Sequence, residues 1–227
     1  MIWIRPGLPS GRYESDLSVV EDPEPMKHAV MAAHPRLNSF TLAMAQGYAE
    51  AAREAGAEVV VRDLYRIGFD PVLHEEELPD HVGFRPGRDV EQERHQLAQV
   101  DVFALFYPLW FNAAPAMLKG YVDRVFGLGF GYSPVAHGGN QPLLGGRKLV
   151  SFTASGAPQA WVERSGAWAA MQSHFDDHFA AVTGLENLGH HNSGGVAPGI
   201  RPDVVARHLA TVQARARDLA ANPAAFV

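Results

Sequence analysis

VFALFYPLWFNAAPAMLKGYVDRVF, residues 102–126, decides how this chain folds. Val102 to Phe106 is an unbroken apolar run ending at Tyr107-Pro108, the pattern of a strand buried on both faces. A short loop with two aromatics, Trp110 and Phe111, follows. An amphipathic helix then begins near Pro115, with Leu118, Tyr121, Val122 and Val125 along one face. A strand end gives a rigid edge, the loop gives stacking faces, and the helix start gives free N–H groups and a favourable field for negative charge. Such a sequence describes a shelf for a flat, charged ligand.

The same alternation extends in both directions. His28 to Ala33 is a short apolar run, Ser39 to Ala55 a helix with Leu42, Ala45, Tyr48, Ala49 and Ala52 at helical spacing, and Glu58 to Leu64 a second strand. Residues 65–88 lack periodicity and read as a long connection, and Asp89 to Gln99 reads as a polar helix. Beyond the opening stretch, the glycine-rich segment 127–146 reads as a loop or hairpin-like excursion. Arg147 to Thr153 is a strand, Ala167 to Thr183 a helix, Leu185 to His191 a weak strand, and Pro202 opens a last helix ending near Ala221. Strands alternating with helices predict an α/β fold with a five-stranded parallel sheet and helices on both faces, and the flavodoxin-like strand order 2-1-3-4-5. Ligands of such sheets bind beyond the carboxyl ends of the strands, which directs attention to loops 33–41, 107–115 and 153–162.

Bulk properties narrow the function. A chain of 227 residues, 47% apolar and 19% charged, suits one large domain. The net charge of −6 gives no electrostatic reason to expect nucleic acid or an anionic membrane as partner. Without cysteine there is no disulfide, thiolate metal site or Cys nucleophile. No apolar stretch nears the roughly 20 residues of a membrane span, so stable membrane insertion is not expected and a cytoplasmic location is. Residues 1–25, rich in Pro, Gly and acidic side chains, read as a flexible extension ahead of a domain over 26–227. The alternative is an arm that crosses to a partner subunit.

In the first loop, Ser39 or Asn38 as N-cap beside free N–H groups makes an anion site, although simple capping uses the same residues. His34 could touch a diphosphate. Neither a Gly-x-Gly-x-x-Gly fingerprint nor a P-loop is present. In the second loop, Trp110 and Phe111 can flank a planar ring, or pack against a helix or a second subunit. In the third, Thr153, Ala154, Ser155 and Gly156 are small enough to let backbone approach a ligand, and Ser155 lacks the flanks of a nucleophile elbow. No metal site is expected, because adjacent His190 and His191 on a strand point to opposite faces and the Glu75–Glu77 run reads as solvated loop.

Taken together, Ala33-His34 with Ser39-Phe40, Asp63-Leu64-Tyr65 with Phe69-Asp70-Pro71, Pro108-Leu109-Trp110, Pro115 to Phe126, and Phe130-Gly131-Tyr132 resemble the flavodoxin-fold NAD(P)H:quinone oxidoreductases, the DT-diaphorase-like family with its bacterial relatives. The resemblance runs from about Lys27 to the last helix. It implies a flavin, FAD or alternatively FMN, across the three loops, with NAD(P)H as co-substrate and hydride passing through the flavin to a quinone-like acceptor. By position, His34, Asn38, Ser39, Phe40 and Thr41 would hold its phosphate and ribityl part. Pro108, Leu109, Trp110, Phe111 and Asn112 would bracket the ring, and Thr153, Ala154, Ser155 and Gly156 would approach its pyrimidine edge. It also implies a homodimer in which Tyr132 reaches over the partner's flavin, and contacts to an adenosine half from Arg201, Arg207 and Leu209.

Three departures bear on the acceptor. The family's Thr-Thr-Gly-Gly is Thr153-Ala154-Ser155-Gly156 here, Trp161 and Ala167 occupy the places of a Tyr and a His thought to relay protons, and Pro134 replaces a common aromatic. Trp161 therefore lines the implied substrate pocket without a phenol to exchange protons. Azo or nitro compounds, a specialised biosynthetic intermediate, or a flavin-bearing regulatory role on a membrane transporter are the alternatives.

Overall fold

A computed structural model describes residues 24–135 and 139–221. The expected extension, residues 1–25, lies outside the described residues apart from Glu24 and Pro25. Five parallel strands form the central sheet: β1 (Lys27–Ala32), β2 (Glu58–Asp63), β3 (Val102–Pro108), β6 (Lys148–Ala154) and β7 (Glu186–Ser193), in the order β2-β1-β3-β6-β7. The register sets Ala29 beside Val60 and Phe103, and Ala104 beside Val150. Because β4 (Tyr132–Pro134) and β5 (Asn140–Pro142) form a separate antiparallel hairpin, this is the expected 2-1-3-4-5 arrangement of parallel strands.

Alternation along the strands divides the core in two. Ala29, Met31, Phe103, Leu105 and Leu149 face α2 (Arg88–Leu97) and α3 (Ala116–Val125). Val30, Ala32, Ala104, Phe106, Val150 and Phe152 face α1 (Phe40–Glu54) and α7 (Pro202–Ala221). Every residue of β3 and β6 is buried, as the continuous apolar run predicts for strands covered on both sides. Phe106 and Phe152 stack across neighbouring strands with centroids 4.9 Å apart.

Two regions depart from the periodic reading. The single helix expected over 167–183 is α5 (Ala167–Met171), a π-helical turn (Gln172–Asp177) and α6 (His178–Thr183). Before it lies a short helix, α4 (Gln159–Arg164), separated from α5 by Gly166 in the left-handed region at φ 74°. Six residues are too few to establish a helical period, which is why the pattern gives no sign of α4.

The long connection after β2 contains one 3-10 turn (Glu75–Glu77) and is pressed against α3. A Cβ built on Gly120 would stand 2.1 Å from the Pro71 carbonyl oxygen. Gly120→Ala should therefore lower stability by about 1–3 kcal/mol through overpacking, despite alanine's advantage of ~1 kcal/mol within a helix. Urea unfolding measures this, and a loss below ~0.5 kcal/mol would mean that Pro71 moves aside freely.

Candidate functional site

The carboxyl ends of β1, β3 and β6 open onto one groove. At β1, Ser39 adopts extended backbone and caps α1, its Oγ accepting from the Leu42 N–H at 3.2 Å. That leaves the first-turn N–H groups of Phe40 and Thr41 to a ligand or water. The chain ahead of the cap is held by Arg66, whose guanidinium donates to the carbonyls of His34 and Pro35, each at 2.9 Å. His34 Nδ1 accepts from the Arg36 N–H at 3.0 Å, and burial lowers its pKa below the ordinary histidine value.

At β3 the Leu109 N–H donates to the Ala154 carbonyl at 2.9 Å, which locks the second loop to the third. Trp110 and Ala113 exchange backbone hydrogen bonds around Phe111 and Asn112, both left-handed, with φ 51° and 56°. Asn112 uses its amide to reach the Ala167 carbonyl at 2.7 Å. Phe111 has no such compensation and its ring is fully exposed. Left-handed backbone is unfavourable for a bulky residue. Phe111→Gly should accordingly raise the melting temperature, by the equivalent of about 0.5–1 kcal/mol once glycine's added unfolded-state entropy is subtracted. Calorimetry of the purified variant measures it, and no rise would mean that the turn carries no strain.

At β6 the third loop is small and close to backbone. A Cβ on Gly156 would meet nothing nearer than the Val196 carbonyl oxygen at 4.0 Å, so the surface there is open. Ser155 donates to the Ala157 carbonyl at 2.8 Å and accepts from Asn192 Nδ2 at 3.0 Å. Thr153 is completely buried and turns inward, to His190 at 2.8 Å and Asn192 at 3.0 Å.

The resulting groove encloses about 480 Å³, within the usual range for small-molecule sites. His34, Asn38, Ser39, Phe40 and Thr41 line one end, Pro108, Leu109 and Trp110 the middle, and Ala154, Ser155 and Gly156 the far wall. Trp110 is half-exposed, with its ring 5.8 Å from that of His34. Five of the residues expected around the ring and the acceptor pocket stand outside the lining, as do Arg201, Arg207 and Leu209 of the expected adenosine contacts. Thr153 and Asn112 spend their side chains as described, Phe111 points to solvent, and Trp161 is exposed on α4. Tyr132 borders a different cavity of about 230 Å³, with Arg94, Asp123 and Arg124.

Sequence reading did not single out Arg36 or the Val196–Pro198 segment, which complete the groove, nor the Arg66 clamp. A positive charge within the first loop is the signal that could have marked Arg36. Arg66 acts across more than thirty residues of chain and carries no local signal. His190 faces Tyr107 and Trp168 while His191 faces Phe152, so the pair does point to opposite sides of the sheet.

A doubly wound parallel sheet with a groove over the ends of its central strands defines a flavodoxin-like protein. The chain belongs to that family: the flavodoxin-like fold sequence model matches residues 26–217. It is 38% identical over 134 residues to a Haemophilus influenzae protein named as an NAD(P)H oxidoreductase, covering 58% of this chain and 65% of that protein. It is 28% identical over 145 residues to NAD(P)H dehydrogenase [quinone] 1 of Cavia porcellus, covering 56% of this chain and 53% of the other. The chain thus spans about half to two thirds of the length of these relatives. Among solved structures, the NAD(P)H:quinone oxidoreductase from Methanothermobacter marburgensis superposes with a TM-score of 0.75 and 28% identity, covering 86% of this chain and 97% of that one.

Proposed function

We propose that the groove holds a flavin and that the protein is an NAD(P)H-dependent oxidoreductase acting on quinone-like acceptors. The observation that carries this reading is the convergence of three strand-end loops on one groove. One end offers a helix N-terminus with unused N–H groups, the middle an aromatic edge, and the far wall small residues that admit close backbone approach. These donors fit a flat ring bearing a phosphate. Ser39, Phe40, Thr41, Asn38 and His34 would take the phosphate end. Pro108, Leu109 and Trp110 would lie beside the ring, and Ala154, Ser155 and Gly156 would approach its polar edge.

A bound flavin supplies the two-electron chemistry, exchanging hydride with NAD(P)H and with the acceptor. The chain's own part is to hold the ring and keep the donors of the third loop fixed at its edge. The resemblance of the long connection after β2 and of residues 190–209 to FAD-binding members favours FAD, with FMN as the alternative. Assembly as a homodimer accounts for Tyr132, which stands apart from the groove of its own chain and would serve the partner's site. Among the described residues no helix is long and apolar enough to cross a membrane.

The test is to denature purified protein, identify the released flavin chromatographically, and follow NAD(P)H consumption with quinones. A colourless protein that binds neither FMN nor FAD would overturn the flavin reading. Flavin with no quinone turnover above background would instead move the acceptor toward azo or nitro compounds. Trp161, in the place of a relay tyrosine, motivates that second reading, since its ring is exposed on α4 with only an indole N–H to offer.

A further inference from the structure

Behind the third loop runs a chain of hydrogen bonds whose directions can be assigned one by one. At the surface, the Glu163 carboxylate accepts from Gln159 Nε2 at 2.9 Å, so Gln159 presents its Oε1 inward. Asn192 Nδ2 donates to that oxygen at 2.6 Å and to Ser155 Oγ at 3.0 Å. Asn192 Oδ1 must then accept, and it does so from the Thr153 hydroxyl at 3.0 Å. With its single hydrogen spent, Thr153 Oγ can only accept from His190 Nε2, 2.8 Å away. On the other side, His190 Nδ1 lies 2.7 Å from Asp176 Oδ2, while Asp176 Oδ1 accepts from the Ser151 hydroxyl at 2.7 Å. With both terminal carboxyl groups ionised, each end of the chain only accepts. One member must therefore donate in both directions, and His190 is the only one with a hydrogen available at each end.

We propose that His190 is a buried imidazolium paired with the Asp176 carboxylate, and that it serves as the positioning residue of the third loop, placing positive charge behind the groove wall. The side chains of the pair are 0% and 1% exposed, so neither charge is relieved by water. Tyr107 and Trp168 cover the imidazole with ring centroids at 5.9 and 4.8 Å.

Two backbone irregularities bring the pair together. An extra residue in β7 shifts its register between Leu149/Asn187 and Ser151/His190, with Gly189 at φ 100°, and so sets His190 opposite Ser151. Asp176 sits in the π-helical turn. Asn187 ties the two together, donating to Asp177 at 2.8 Å and accepting from the Gly189 N–H at 3.0 Å. A regular strand would have put Gly189 opposite Ser151 and left the carboxylate without its partner.

This assignment rests on the flavin reading only for its purpose: positive charge at one remove favours a ligand that gains negative charge along that wall on reduction. It can be tested without the cofactor. Ring-nitrogen NMR of flavin-free protein at pH 7, with His190 assigned by its loss in His190→Gln, should show both nitrogens protonated. Thr153→Val should alter the Nε2 signal, and Thr153→Ser should restore it. An unprotonated ring nitrogen in the wild type at pH 7 would overturn the proposal. Titration with FMN and FAD then tests the purpose. His190→Gln and Asp176→Asn should bind flavin about tenfold more weakly, the worth of one charge-assisted hydrogen bond. Reduced flavin should lose more affinity than oxidised flavin, which lowers the bound midpoint potential. Folded variants with wild-type affinity and potential would overturn the positioning role. Wild type that binds neither flavin would count against the groove reading instead, with the ring nitrogens still deciding the ion pair.

Discussion

Arg124→Ala is expected to lower folding stability by about 3–5 kcal/mol, a large share of the 5–15 kcal/mol typical of a domain. The guanidinium is almost wholly buried in α3 and donates to Glu77 at 2.7 and 2.8 Å, to Asp89 at 2.6 and 3.0 Å, and to the Asp70 carbonyl. It also lies over the Phe69 ring, 5.2 Å from its centroid. Glu77 is buried, and burial alone would raise its pKa. The Arg124 bonds and the N–H groups of Gly87 and His74 nevertheless hold it below the ordinary glutamate range. Truncating Arg124 leaves this carboxylate desolvated without its cation, which is why the effect should exceed that of an exposed ion pair.

Urea unfolding at pH 7 measures the loss, and a value below ~1 kcal/mol would show that water reaches Glu77. Replacing both Arg124 and Glu77 by methionine should be less damaging than Arg124→Ala, because no buried charge is then stranded and the remaining Asp89 side chain is 40% exposed. The consequence extends to the site. These bonds pin the connection that begins with Arg66, and Arg66 holds the first loop by its carbonyls.

Taking the wild type from pH 7 to pH 4 should cost about 3 kcal/mol at His28 alone. The side chain is completely buried, with Nδ1 3.0 Å from the Tyr48 hydroxyl and no partner at Nε2. Burial lowers its pKa from 6.5 to about 4, against a smaller opposing pull from Asp101. A pKa depressed in the folded state means that the unfolded chain binds the proton more tightly. The contribution is therefore complete above pH 6.5 and is lost as pH falls through about 4. His28→Asn, which cannot titrate, should make stability flatter between pH 6.5 and 4 whatever its stability at pH 7. An unchanged slope in the variant would assign the acid sensitivity to other groups, with Glu77 contributing only below its ordinary value of 4.5.

Strand and helix identity was legible in the sequence wherever a period was long enough to show. Val102 to Phe106 could only be a strand covered on both sides, and the spacing of Leu118, Tyr121 and Val125 fixed one face of α3. From the alternation of strands and helices followed the parallel sheet, its order and the strand ends over which the groove opens. Most of the groove was legible for the same reason, since loops that follow strands in a doubly wound sheet converge whatever their side chains do.

Residues 102–126, joined to their neighbours by that rule, thus determined the fold class and the general place of the site. Only the tertiary structure decided which side chains hold the site in shape. Arg66 clamps a loop more than thirty residues away, and Arg124 meets Glu77 across forty-seven. The His190–Asp176 pair exists because a bulged strand and a π-helical turn bring its members onto one face. Phe111 and Asn112 turn left-handed because Trp110 and Ala113 close around them. Periodicity is a property of neighbours along the chain. Ion pairs, buried protons and irregular turns depend on how separate elements dock, and a local pattern carries no record of that.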